Sequence, residues 1–393
     1  MARIVETSRV RVAARTVHVD RLSELDLWST HGTEVWTSPS FSATSGFYPV
    51  YRWRDHYSYA PLPLILAKRG LALDPEVVKE ASAGNYRYHS GARTIDQEIV
   101  RVGGPASVDP VPTLRDAASY AQAIAEAMCA DVAAAEAQNP GMKHVVLVGG
   151  RDSLNLLLVP WRAPVLAVSA EPNHPLVAEF VKANGLPHEV RLLEDPPDED
   201  VLEREILANC CRATLAQMRW GAHLRAIARE LSGQLVYWAG QLGDTFMTPF
   251  WRTYSQRRGF RAELRGWLAT ASRVLPRRMD IALWRGVEAR FRRDLWFRGG
   301  MFQAVHLSII REVSDCLALS GYHGPAMQRV LAQVDLGAAV REDIRPRVGA
   351  LLFGRPVAYP AENPSPSAPS FRGGLVHPDR FVALLRREGF DVA

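Results

Sequence analysis

Two short stretches of this chain carry residue types whose spacing suits phosphate chemistry. In Leu147-Val-Gly-Gly-Arg-Asp-Ser153, Gly149 and Gly150 free the backbone to turn and approach a ligand without a Cβ in the way. Asp152 adds a carboxylate able to hold Mg²⁺, and Ser153 adds a hydroxyl. Together they read as a pyrophosphate cradle with its metal ligand attached, the free N–H groups of a following helix turned toward it. The spacing and lysine of a Walker loop are absent. In Gly240-Gln-Leu-Gly-Asp-Thr-Phe246, Asp244 is placed to reach the same metal from across a crevice. Two carboxylates, phosphate oxygens and water make a reasonable octahedral set for Mg²⁺. The plainer alternatives are a tight strand-to-helix turn for the first stretch and a helix-capping aspartate for the second.

Such residues act together only if the elements beneath them bring them together. His144-Val-Val-Leu-Val-Gly149 and Pro164-Val-Leu-Ala-Val-Ser169 are apolar strands, His188-Glu-Val-Arg-Leu-Leu193 and Gln234-Leu-Val-Tyr-Trp-Ala239 read as a third and fourth strand, and helical patterns lie between them. That alternation predicts an α/β fold built on a parallel, doubly wound sheet, which takes ligands outside the carboxyl ends of its strands. Both motifs fall at such ends. Ahead of the sheet, Thr113 and Asp116 have the spacing of a capping box for a long helix that Asn139-Pro-Gly141 ends. Asn173 reads as the cap of a later helix, with Pro175 in its first turn and Gly185 past its end. Residues 1–112 read as a β-rich unit with a short helix over 71–82, closed by the breaker-rich stretch 103–112. Residues 113–350 read as the domain that carries both motifs, with a break near Trp220 in one helical stretch and a helical pattern throughout 250–345. Residues 351–393 read as a linker followed by a short helix at about 377–388.

Composition narrows the class. The chain has 393 residues, net charge +5, 47% hydrophobic and 23% charged residues, which fits folded domains rather than a disordered chain. It lacks an apolar run of the ~20 residues a membrane span needs, and its first residues do not have a signal-peptide layout. Cys129, Cys210, Cys211 and Cys316 form no disulfide or zinc spacing, so a reduced, cytoplasmic protein is expected, with Cys210 and Cys211 as buried thiols. Only Lys68, Lys79, Lys143 and Lys182 among the 47 cationic residues are lysines, so the basic balance is weak evidence for nucleic acid. Between Arg252 and Arg298, 13 arginines stand against four acids, interleaved with aromatic residues. Either arginine stems cover a core there, or the face meets an acidic partner: a phosphorylated substrate, a carrier domain or RNA.

The first motif resembles the S-G-G-x-D-S loop of the ATP pyrophosphatases, and Gly240–Phe246 is similar to the G-E-G-A-D-E-L stretch of asparagine synthetases. Asp55-His-Tyr-Ser-Tyr-Ala-Pro-Leu62 and Gly91-Ala-Arg-Thr-Ile-Asp-Gln-Glu-Ile-Val-Arg-Val102 look like the end of that family's amidotransferase half. The resemblance, over roughly residues 48–345, implies an adenine nucleotide alpha-hydrolase-like sheet behind a truncated amidotransferase remnant. It implies an ATP- and Mg²⁺-dependent ligase that adenylates a carboxylate and passes it to an amine, releasing AMP and pyrophosphate. By the same resemblance Val148, Gly149, Gly150, Ser153 and Gly240 hold the nucleotide, Val168 and Ser169 line the adenine, and Asp152 and Asp244 bind the metal. Arg311, Glu312, Asp315 and His323 fall where the family lines its acyl pocket. There are departures. Val148 stands for a serine, Gln241 and Thr245 stand for both glutamates, and no lysine follows Lys182. Arg341, Arg345 or Arg347 occupies the stretch of the family's late lysine, and Arg345 and Arg347 are the expected cations; arginine neutralises charge but does not shed a proton. Ala2 stands where the glutaminase needs cysteine, so a glutaminase step is not expected. The competing expectation is a degenerate synthetase that binds a peptide or carrier protein through residues 252–298. Nucleic-acid modification is a weaker third, and no membrane partner is expected.

Overall fold

The computed structural model describes residues 3–6, 11–23, 34–42, 50–82, 93–102, 113–193, 199–212, 221–240, 243–249, 307–360 and 378–393. The N-terminal part holds strands β1 (Arg3–Glu6), β2 (Arg11–His18), β3 (Leu22–Ser23), β4 (Glu34–Thr37), β5 (Phe41–Ser42), β6 (Val50–Trp53) and β7 (His56–Ser58). Helix α1 (Pro61–Lys68), β8 (Gly70–Leu71), α2 (Pro75–Ser82) and β9 (Val100–Val102) follow. Six of these strands form a mixed sheet in the order β1-β2-β4-β7-β6-β9, with β2 and β4 parallel. The β-rich expectation holds here, and α2 falls inside the expected helix. The breaker stretch 103–112 lies outside the described residues.

The second sheet is wholly parallel. It comprises β10 (Lys143–Leu147), β11 (Leu166–Ser169), β12 (Glu189–Leu192), β13 (Leu235–Ala239) and β14 (Leu317–Ser320), in the order β12-β11-β10-β13-β14. The helices around it are α3 (Ala117–Gln138), α4 (Arg151–Leu157), α5 (His174–Asn184), α6 (Glu199–Asn209), α7 (Gly221–Glu230) and α8 (Gly243–Met247). Then come α9 (Pro325–Gln333), α10 (Leu336–Ala339), α11 (Arg345–Phe353), α12 (Pro378–Arg387) and β15 (Asp391–Val392). Alternate residues of the strands enter different cores, as the pleat requires. Val146, Ala167, Trp238 and Leu319 pack with α3, α5, α9 and α11. Val145, Val168, Tyr237 and Ala318 pack with Leu224 and Ile227 of α7. The protein is therefore α/β, with a six-stranded mixed sheet, a five-stranded parallel sheet covered on both faces and, among the described residues, two two-stranded parallel pairs, β3 with β5 and β8 with β15. Among the described residues no helix is long and apolar enough to cross a membrane.

Three sequence expectations need correction. Residues 250–345 are not helical throughout, because Leu317-Ala-Leu-Ser320 pairs with β13 as β14, buried along its whole length. Leucine and alanine favour helix locally, but a run buried on both faces carries no periodicity, and the vacant edge of β13 decides its state. The cap of α3 is Asp116, which accepts hydrogen bonds from the N–H groups of Ala118 and Ser119 (3.0 and 2.8 Å). Thr113 is drawn away from that role by its own N–H, which donates to the Gln333 carbonyl. Residues 354–360 are packed rather than loose. Asn184 of α5 clamps Ala358 through both its N–H and its carbonyl, and Tyr359 lies against the Phe180 ring at 5.6 Å. The remainder of the expected linker, 361–377, lies outside the described residues.

The last helix does not stand apart. Phe381 and Leu385 of α12 share a core with Leu64 and Ile65 of α1 and with Leu207, Ile309 and Val313. Strand β15 pairs in parallel with β8.

Candidate functional site

Strand order reverses between β10 and β13: from β10 the chain moves outward to β11 and β12, then returns to the other side through β13 and β14. Such a switch point opens a crevice at the carboxyl ends of the two strands. Gly149 and Gly150 leave β10 there, and Gly240 leaves β13.

The two motifs are in contact. A Cβ on Gly240 would lie 2.4 Å from the Ser153 Cα, and one on Gly243 would lie 2.7 Å from the Asp152 Cβ. Both positions must therefore be glycine if the turns are to meet. The opposite holds at Gly149, whose Cβ would meet nothing within 4 Å. Gly150 is extended at φ 171, so neither glycine of the first turn serves a left-handed backbone. Among the described residues nothing fills the open side of Gly149. Asp244 lies in the first turn of α8, its backbone next to that of Gly243; its side chain lies outside the described residues.

The first turn is closed on itself. The Gly149 N–H donates to Ser153 Oγ at 3.2 Å, and that hydroxyl donates to the Gly150 carbonyl at 2.9 Å. Asn173 Nδ2 donates to the Gly149 carbonyl at 2.9 Å. Asn173 occupies the cap position of α5 but makes no side-chain capping bond, so its amide serves the turn instead. Val148 is buried in the core, and its carbonyl accepts a 2.6 Å bond from Ser169 Oγ. Val168 is buried in the core on the other face of the sheet. These three residues stitch β10 to β11 beneath the crevice.

Arg345 completes the arrangement. It opens α11, and its Nη1 donates to Asp152 Oδ1 at 2.9 Å. Asp343 takes the other edge of the guanidinium, accepting from Nε at 2.9 and 3.1 Å and from Nη2 at 2.6 Å. Burial opposes the charge of Arg345, but Asp343 and Asp152 outweigh it and hold the group protonated above its ordinary range. The Arg345 carbonyl accepts from Asn155 Nδ2 at 3.2 Å; the Tyr359 hydroxyl donates its one proton to Asn155 Oδ1 and lies 3.3 Å from the same carbonyl. Arg347, two residues on, is exposed and is not brought to Asp152; Arg341 is exposed as well.

Tyr322, Asn155, Asp343 and Tyr359 were not legible as site residues. Tyr322 follows β14 and is fully buried; its hydroxyl donates to the Asp152 carbonyl at 2.7 Å. Reading its region as helix hid it, and a strand at 317–320 would have placed it at a carboxyl end.

The four residues expected around an acyl group divide among different surroundings. Arg311 donates to the Ala318 carbonyl and lies 4.7 Å over the Tyr59 ring. Glu312 is buried against Arg212, and burial pushes its carboxyl up to about 7 although Arg212 pulls it down. Asp315 pairs with Arg204 on a more exposed face. His323 is buried edge-on to Phe246, and burial holds its imidazole well below the ordinary range. Cys210 and Cys211 are buried thiols as expected, both in the left-handed backbone region at φ 47 and 58. The arginine-rich residues 252–298 lie outside the described residues.

Neither a family model nor a curated protein matches this chain.

Proposed function

We propose that this chain is an ATP-dependent amide-bond ligase of the asparagine synthetase type, its parallel sheet an adenine nucleotide alpha-hydrolase-like domain. A substrate carboxylate attacks the α-phosphate of ATP, pyrophosphate leaves, and an amine displaces AMP from the acyl-adenylate. The observation that carries the reading is the meeting of the Gly149–Ser153 turn, the Gly240–Gly243 turn and Arg345 at the sheet's switch point. Three separate chain segments would not be expected to bring a carboxylate, a guanidinium and open backbone to one crevice for packing alone.

In this reading the open side of Gly149 admits the pyrophosphate, with Gly150, Ser153 and Gly240 beside it. The edges of Val168 and Ser169 face the adenine. Ser153 must exchange its internal bonds for phosphate contacts. Arg345 neutralises charge as pyrophosphate departs, a task that needs a fixed donor and no proton transfer. Asp152 suits Mg²⁺, which takes one or two carboxylates with phosphate oxygens and water. The lack of any cluster of three or more ligating side chains among the described residues is compatible with that small requirement. Asp244 is the proposed second ligand. The metal supplies neutralisation of the triphosphate when bound. Arg347, exposed on α11, has a weaker claim than Arg345 to the late cationic role.

ATP–pyrophosphate exchange tests the reading. Exchange dependent on a carboxylic acid, lost in Asp152→Ala and Asp244→Ala, is the expected result. One observation favours a second reading: Asp152 is already paired with a guanidinium. A degenerate synthetase that binds a peptide or carrier protein through residues 252–298 would keep such a pair shut. No exchange across a broad panel of acids, together with tight binding to an acidic protein, would select it.

A further inference from the structure

We propose that Asp343 is a positioning residue that holds Arg345 to a single bond with Asp152 and keeps the two from forming a fork, so that part of the guanidinium stays available to an incoming phosphate. The inference rests on the ligase reading and goes beyond it to a residue that no sequence motif marks. Arginine has five N–H donors in a fixed plane and favours a two-bond fork with a carboxylate. In isolation, Arg345 and Asp152 would form that fork, each neutralising the other. Here the fork belongs to Asp343, which engages Nε and Nη2, while Asp152 receives a single bond from Nη1.

The backbone makes this division possible. Asp343 Oδ1 also accepts from the Arg345 N–H at 3.0 Å, which fixes the carboxylate at the entrance of α11. Asn155, itself held by the Tyr359 hydroxyl, grips the Arg345 carbonyl from the other side. The stem of Arg345 is thus anchored at both ends before any ligand arrives. Three donors serve the two carboxylates, and two N–H groups remain for phosphate oxygens. Removing Asp343 frees the Nε and Nη2 edge. The guanidinium then rotates into a fork with Asp152, and both the cation and the metal ligand are lost to the nucleotide together.

Two measurements on the full chain test this. Calorimetric binding of ATP with Mg²⁺ should weaken about tenfold in Asp343→Asn, the scale of one charge-assisted hydrogen-bonded contact. Asp343→Glu should retain most of the affinity. The same Asp343→Asn change made in an Arg345→Gln background should have no further effect, because Asp343 acts through Arg345. Equal weakening in both backgrounds would mark a general structural role and overturn the proposal, as would unchanged affinity in the single variant. Phenylglyoxal labelling of Arg345, mapped by peptide mass without nucleotide, supplies the second readout. Labelling should change severalfold in Asp343→Asn and return toward wild type in Asp343→Glu; identical labelling in all three overturns the proposal. A wild-type chain that neither binds ATP nor exchanges pyrophosphate overturns the ligase reading, while the labelling result still decides what Asp343 does to Arg345.

Discussion

Gly149 and Gly240 look alike in the sequence, yet they answer to different constraints. A methyl group at 149 meets none of the described residues, whereas one at 240 strikes the backbone of Ser153. Gly149→Ala is therefore expected to leave the melting temperature unchanged and to weaken ATP binding, with calorimetry and a thermal melt as the check. Gly240→Ala is expected to lower stability by about 1–3 kcal/mol, the usual cost of forcing an extra group into a packed site. Equal behaviour of the two variants would mean that the open side of Gly149 does not receive the ligand. The turn itself was readable from sequence because Gly149, Asp152 and Ser153 lie within five consecutive residues. Its supports were not readable: Tyr322 reaches Asp152 across 170 residues, and Tyr359 reaches Asn155 across 204. No local pattern marks a hydroxyl whose partner is so far along the chain.

Among the elements, α11 depends on a close approach. Gly349 lies in its interior, where alanine is ordinarily better by about 1 kcal/mol. A Cβ there would lie 1.8 Å from the Tyr359 hydroxyl and 3.0 Å from Asn155 Oδ1. Gly349→Ala should therefore destabilise despite its better helix propensity, by about 1–3 kcal/mol, because Asn155 loses a buried partner. In a Tyr359→Phe background the worst contact is gone and the cost should shrink. A double-mutant cycle by denaturant melts reads the coupling, and additive costs would contradict the assignment. Strands β10 to β13 were legible as short apolar runs with turn signals at their ends. β14 was not, since Leu-Ala-Leu-Ser has no strand signature and owes its conformation to β13. The α3 cap was misread for a related reason: Thr113 has the right spacing but is held elsewhere by the end of α9.

Across the whole molecule, the two halves meet around buried charge. Arg212 follows α6 and pairs with Glu312, which lies in the helical residues 307–314. Arg212 and Arg311 lie over the rings of Tyr51 and Tyr59 from the N-terminal half. Burial lifts the Glu312 carboxyl from its ordinary 4.5 to about 7, against the pull of Arg212 and with a smaller push from Asp315. The folded protein thus binds this proton more tightly than the unfolded chain does. The stability contributed is present below about pH 4.5 and is lost as pH rises through 7. Wild type should accordingly gain stability relative to Glu312→Gln between pH 8 and pH 5, as read by denaturant melts at each pH; a difference independent of pH would contradict the assignment. Sequence placed a boundary near residues 103–112 and a closing helix near 377–388, but not the docking of that helix, since an amphipathic pattern says that a face is buried and not against what. Because Phe381 and Leu385 share a core with Val77 of α2 and Leu207 of α6, a nascent polypeptide leaving the ribosome carries an uncovered greasy strip until α12 is made. Translation products that stop before Pro378 keep that strip exposed, and chaperones or proteases are their expected destination.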